Sequence, residues 1–179
     1  MTTPMRHRPE SPVVEADARR DTHEFARKIV TQYAQAKSRQ DADAALRLCT
    51  PGFLLHTEPL QSTAAGLSNV NRLMKKFFRI FPDYTASLEG DASNDYGYMC
   101  WGTATMTMRG SMGWWRATNR TARLPFYCLF KIEGERLSSE GFYFSQTEFC
   151  TQLGLPASPF RRMLTMGSKL PLGLQLLLL

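Results

Sequence analysis

Apolar residues recur at helical spacing in Phe25, Ile29, Tyr33 and Ala36, which predicts an amphipathic helix with one buried face. Asp21, with Glu24 three positions on, can satisfy free amides at a helix start, so the helix is expected to begin there. A short second helix is expected over 41–48, stopped by Thr50-Pro51-Gly52. The run Phe53-Leu54-Leu55-His56-Thr57-Glu58 reads as a strand closed by Pro59. Helical spacing returns in Val70, Leu73, Phe77 and Phe81 and stops at Phe81-Pro82-Asp83, because proline cannot extend a helix and restricts the residue before it.

After Asp83 the chain changes character. β-branched and aromatic residues predict strands over 84–90, 96–109, 120–132 and 136–145. The Gly110–Gly113 turn separates the second from the third, and Glu133-Gly134-Glu135 turns the third into the fourth. Residues 146–153 read as a closing helical turn. Helices first and strands afterwards predict an α+β fold. The polar stretch 1–20, with little apolar content, is expected to be a mobile arm. The folded domain is expected over 21–155, and an apolar tail over 156–179.

Composition narrows the class. The chain has 179 residues, 43% hydrophobic and 21% charged, which suits one globular domain. Its net charge is +6, with basic residues at Arg72, Lys75, Lys76 and Arg79 and again at Arg161, Arg162 and Lys169. The first cluster borders an apolar helical stripe, as a solvated helix face does, so no nucleic acid partner is expected. Cys49, Cys100, Cys128 and Cys150 form no CxxC pair and nothing at the N-terminus resembles a secretory signal; free thiols and a cytoplasmic setting are expected. The leucine-rich end is too short to span a bilayer and is broken by Pro171 and Gly173. The tail is expected to pack on its own domain, cover a cavity mouth or dock on a partner subunit, with weak association at an anionic membrane surface as a further option.

Asp41–Leu48, His56–Pro59, Phe81-Pro82-Asp83, Trp101, Arg120–Leu137 and Gln152-Leu153-Gly154 occur in an order and spacing that resemble the SnoaL-like polyketide cyclases. The resemblance covers roughly residues 22–154. It implies a curved antiparallel sheet wrapped around N-terminal helices into a cone, an α+β barrel with a ligand cavity at its open end. It also implies a homodimer joined through the outer sheet face. The family's enzymes use a cavity histidine and aspartate as general acid and base. Here the histidine position falls at Met108 or Thr107, and the aspartate position at Ser145 or Phe142, so neither group is present.

Replacement chemistry is sought among the remaining ionisable groups. His56 and Glu58 are two apart on one strand and so share a face, where Glu58 could orient His56 and raise its basicity. A rim histidine beside a solvated glutamate is the alternative. Glu140 lies on the last strand; inward among Phe142 and Phe144 it could act as acid or base, whereas in the opposite register Tyr143 and Ser145 face the cavity. Substrate contacts are expected from Tyr33, Trp101, Met108, Arg109, Trp115, Tyr127, Phe142 and Ser145. No phosphate loop, nucleophile elbow or metal-ligand set is visible, so no cofactor or metal is implied. The expected function is a cofactor-independent cyclase or isomerase acting on a hydrophobic polyketide- or terpenoid-type intermediate of specialised metabolism. The competing expectation is a non-catalytic ligand-binding or dimerising module on the same fold.

Overall fold

The strand Thr121–Glu133 alternates buried and exposed positions almost without a break. Ala122, Leu124, Phe126, Cys128 and Phe130 point inward, while Arg123, Pro125, Tyr127, Leu129 and Lys131 point out, which is the period-two rule for a sheet covered on one face. The computed structural model describes residues 12–167. They form α1 (Pro12–Ser38), α2 (Ala42–Arg47), β1 (Cys49–Thr57), a 3-10 turn (Glu58–Leu60), β2 (Ser62–Ala65), α3 (Leu67–Ile80), β3 (Thr85–Asn94), β4 (Gly97–Thr107), β5 (Thr121–Glu133), β6 (Arg136–Phe144), α4 (Gln146–Leu153) and α5 (Ala157–Gly167).

The six strands make one curved sheet in the order β2-β1-β6-β5-β4-β3. The α+β fold read from the sequence is the fold observed, with two corrections of detail. The sheet is open, with β2 and β3 as its edges, and so is not a closed barrel. It is antiparallel except between β1 and β6, which run parallel because the whole α3–β5 excursion separates them in the chain. β2 was not anticipated: its four residues, Ser-Thr-Ala-Ala, carry no large apolar side chain to mark them as a strand.

The helix starts also shift. α1 begins at Pro12, so residues 12–20, expected within a mobile arm, belong to a helix. Glu15, Ala16, Ala18, Arg19 and Arg20 are good helix formers, and proline suits a first turn, which outweighs the stop-and-start pattern at Asp21. Residues 1–11 and 168–179, including the leucine run, lie outside the described residues. On α1 the buried face is Ala26, Ile29, Val30, Tyr33 and Ala36, while Phe25 is rotated to the surface. Asp41 caps α2 by accepting from the Ala44 amide at 2.8 Å. Thr50-Pro51-Gly52, expected as a helix stop, instead lies inside β1 where its register with β6 shifts.

α1 and α3 bury their apolar stripes on the inner face of the sheet. Val70, Leu73, Met74, Phe78 and Ile80 supply the α3 stripe, and Phe81 behind it is wholly buried. The exit from α3 is pinned by Asp83, whose carboxylate accepts from the Thr107 amide at 2.7 Å. At the other end Gln152 on α4 holds the β5 backbone from both sides, accepting from the Arg123 amide at 2.7 Å and donating to its carbonyl at 3.1 Å. Gly154 then ends α4 in the left-handed region at φ +71°, which glycine enters without strain. Among the described residues no helix is long and apolar enough to cross a membrane.

Of the three placements open to the tail, its described part takes the first. α5 buries Phe160, Met163 and Leu164 on its own domain, with Phe160 5.5 Å from Trp115 and 5.9 Å from Phe149 by ring centroids. A Phe160→Ala substitution should therefore cost about 3–5 kcal/mol of stability, the usual loss for a buried phenylalanine. Urea unfolding reads this directly; an unshifted midpoint would show that α5 is not part of the core.

Candidate active site

Lys37 follows Tyr33 by four residues on α1, so both side chains leave the helix on the face that meets the sheet. Opposite them, β6 changes phase. Ile132 pairs with Leu137 but Lys131 pairs with Ser139, so Ser138 is the extra residue of a bulge. The bulge turns Glu140 and Phe142 inward, where an unbroken strand continuing from buried Leu137 would have turned Ser139 and Gly141.

These two placements bring together a buried ionic cluster. Lys37 Nζ donates to Glu140 Oε1 at 2.7 Å and to Oε2 at 3.0 Å. Tyr33 donates its hydroxyl to Oε2 at 2.7 Å, and Cys128 Sγ lies 3.8 Å from Oε1. Glu140 is only 2% exposed, and the Lys37 side chain 13%. The ammonium also sits 5.0 Å from the Tyr33 ring centroid and 5.5 Å from that of Phe142. Burial alone lowers the Lys37 pKa, but the charge of Glu140, followed by Tyr84 and Cys128, outweighs it and raises the ammonium above its ordinary value. Burial, reinforced by Glu140, pushes the Tyr33 hydroxyl well up, and burial also raises Tyr84 against the opposing charge of Lys37. Cys49 is pushed up to about 12 by burial and then by Glu140. Lys37 is thus a cation, and the two tyrosines are neutral donors, across the physiological range.

Next to this cluster an apolar cavity of about 780 Å³, solvent at its mouth included, opens between α3 and the inner sheet face. Leu55, Leu73, Phe77, Met106, Met112 and Phe149 are among its walls. Lys37, Tyr84 and Phe142 border both this cavity and a smaller recess that holds Tyr33 and Glu140. Lys37 therefore reaches the main cavity, and Glu140 stands behind it. The main cavity is lined by two charged residues, Lys37 and Lys76.

The other residues singled out from the sequence are distributed over the molecule. His56 and Glu58 do pair, at 2.9 Å, and His56 also bonds Thr63 at 2.7 Å. However, Leu55 and Thr57 are the β1 residues that line the cavity, so His56 takes the opposite, outward face. Trp101 and Tyr127 pair across β4 and β5 on that same outer face, and Tyr127 stacks on Tyr143 with centroids 4.8 Å apart. Met108 is fully buried but away from the cavity, whose wall is formed by Met106 instead. Thr107 shares a hydroxyl contact with Thr121 at 2.9 Å. Arg109 is exposed, and its backbone amide bonds the Ile80 carbonyl. Trp115 packs against Phe160 while Met112 of the same loop reaches the cavity. Ser145 is exposed and caps α4, accepting from the Glu148 amide at 3.2 Å. Phe142 alone among the expected contacts lines the main cavity, and Tyr33 lines the recess. Lys37 was missed, although a lysine four residues after Tyr33 on an apolar helix stripe was a readable signal.

Comparison with known proteins follows the geometry. The sequence pattern of the SnoaL-like polyketide cyclases matches residues 27–153. Among functionally curated proteins none matches the chain. Solved structures resemble its fold at low identity. A candidate SnoaL-like polyketide cyclase from Jannaschia sp. superposes with a TM-score of 0.67 at 13% identity, over 83% of this chain and 99% of the other. IdmH of Streptomyces antibioticus, named as a candidate polyketide cyclase, gives 0.62 at 14% identity, over 73% and 99%. A Catenulispora acidiphila protein with a ketosteroid isomerase-like fold gives 0.65 at 17% identity, over 73% and 95%.

The ionic cluster makes a sharp energetic prediction. Lys37→Met strands a buried carboxylate and Glu140→Leu strands a buried ammonium, so each should cost about 3–5 kcal/mol. The double variant should lose clearly less than the sum, because the second change removes the charge that the first left unpaired. Urea unfolding of all four proteins closes this cycle; strict additivity would show that the two side chains do not stabilise one another.

Proposed function

This chain belongs to the SnoaL-like polyketide cyclase family, and we propose that it is a cofactor-independent cyclase or isomerase that closes or rearranges a ring in a hydrophobic polyketide- or terpenoid-type intermediate. The observation that carries this reading is the cation at the edge of the apolar cavity: Lys37 borders it, with Glu140 and Tyr33 buried behind. As water at the open mouth takes a proton from the carbon beside a substrate carbonyl, the C–H electron pair moves onto the carbonyl oxygen seated against the Lys37 ammonium, and a fixed N–H donor stabilises that developing enolate charge strongly. The walls supply the rest by holding reacting carbons together and excluding water. On this reading Lys37 is the catalytic residue. Glu140, favoured from the sequence as the acid or base, becomes the positioning residue that holds it.

The test is conversion of a panel of linear and partly cyclised aromatic polyketide intermediates, followed by mass spectrometry. Lys37→Met should lower kcat about 100- to 1000-fold with a smaller change in KM, the usual loss for a transition-state donor. Wild-type turnover by folded Lys37→Met would exclude the assignment. Glu140→Gln removes the charge that holds the Lys37 pKa up, so the alkaline limb of its kcat/KM profile should move to lower pH. Tyr33, Tyr84 and Cys128, which also face the pair, are raised by burial in both proteins and leave the sign unchanged. An unmoved alkaline limb would sink the positioning role.

A second reading, a non-catalytic ligand-binding module, is favoured by the residues to which the family resemblance assigns the histidine and aspartate, Met108 or Thr107 and Phe142 or Ser145, none of which exchanges a proton near neutral pH. It predicts binding of the same compounds with no conversion. Under either reading the chain is proposed to act as a homodimer through its outer sheet face. Met99, Trp101, Tyr127 and Leu129 are exposed there as facing pairs of β4 and β5, and Leu54 is exposed on β1 of the same sheet. Leu129→Glu should convert a dimer to a monomer in light scattering; an unchanged mass would place the interface elsewhere.

A further inference from the structure

Lys76 is the charged residue of the cavity that the ionic cluster does not employ. It lies on α3, five residues before Phe81, and lines the cavity while remaining partly exposed, whereas Lys37 is nearly enclosed. The two lysines therefore border one apolar space, Lys37 the more enclosed of the two. No carboxylate lies within ion-pair distance of Lys76 among the described residues, although the lysines at 37 and 75 both have one. The cavity lining contains no acidic side chain either. A lysine that merely rests its stem on an apolar wall keeps its ammonium in bulk water. Here Lys76 is partly buried against the cavity wall, and burial, followed by the charge of Arg79, lowers its pKa.

We infer that the cavity takes an apolar, aromatic-bodied carboxylic acid, with its carboxylate against Lys76 at the mouth and its body running inward toward Lys37. The ring-rich walls, with Phe77, Phe78, Phe81, Phe142 and Phe149, suit flat or unsaturated carbon skeletons. One ammonium, with Arg79 as a neighbour, matches a singly charged carboxylate. A phosphate dianion would call for converging guanidinium forks or backbone amides at a helix start, and Lys76 supplies neither. The inference rests on the cavity assigned above as the substrate site and narrows its substrate class to acids.

The probes are 4-phenylbutanoate and its primary amide, which differ in charge but hardly in shape, measured by calorimetry on the full-length protein. The acid should bind roughly tenfold more tightly than the amide, the scale of one charge-assisted contact. Lys76→Gln should bring the acid down to the amide's affinity and leave the amide unchanged, and Lys76→Arg should keep the preference. Equal binding of acid and amide by the natural protein would overturn the inference. So would a preference that survives Lys76→Gln, or no binding of either probe. Because the readout is binding, a protein that keeps the acid preference yet converts nothing leaves this inference standing while the cyclase reading falls.

Discussion

A carboxylate on the inner face of a covered sheet cannot be hydrated, so it must be neutralised by the element packed against that face. Glu140 meets this constraint through Lys37 and Tyr33, both from α1. The contact ties the first helix of the domain to its last strand across more than a hundred residues of chain. A pair buried this deeply adds little net stability compared with an apolar core, but breaking it is expensive, because one charge is left alone out of water. It therefore fixes how α1 lies on the sheet. It also fixes which side chains border the cavity, since Lys37 and Phe142 are neighbours of the same pair.

The placement of Glu140 depends in turn on one extra residue. Without the bulge at Ser138, the alternation that begins at Leu137 would carry Glu140 to the solvent face and leave Lys37 with no partner. β1 enters the same sheet in parallel with β6, with Thr57 opposite Phe142, so that Leu55 and Thr57 add to the cavity wall. The cavity is thus a by-product of two register shifts and one parallel pairing. α3 closes its other side, and Asp83 fastens the helix exit to the end of β4.

The positions to which the family resemblance assigns the acid and base hold apolar or hydroxyl side chains, and the buried cation bordering the cavity, Lys37, is raised by its own counter-ion. A cation of this kind is a poor base and a good electrostatic partner for developing negative charge. On the function proposed above, the chemistry would rest on charge stabilisation and enforced proximity more than on proton transfer.

The sequence alone determined the α+β class and the order of the larger helices and strands, because these follow from local periodicity and turn chemistry that need no distant partner. The packing face of β5 did not follow, since Tyr127, expected in the cavity, lies on the outer face. The resemblance to the family followed from the order of short segments such as Phe81-Pro82-Asp83 and Gln152-Leu153-Gly154, each of which has a local structural task. Even the pairing of His56 with Glu58 was legible from their closeness in the chain, although Glu58 lies in the 3-10 turn after β1 rather than on the strand. What could not be read was which face. A one-residue bulge inverts every later side chain, and neither the bulge at Ser138 nor the short, small-residue strand β2 leaves a hydrophobic signature. For that reason Glu140 could point either way until β6 was paired with β5. Lys37, more than a hundred positions earlier, acquired its role only when α1 was laid against that face.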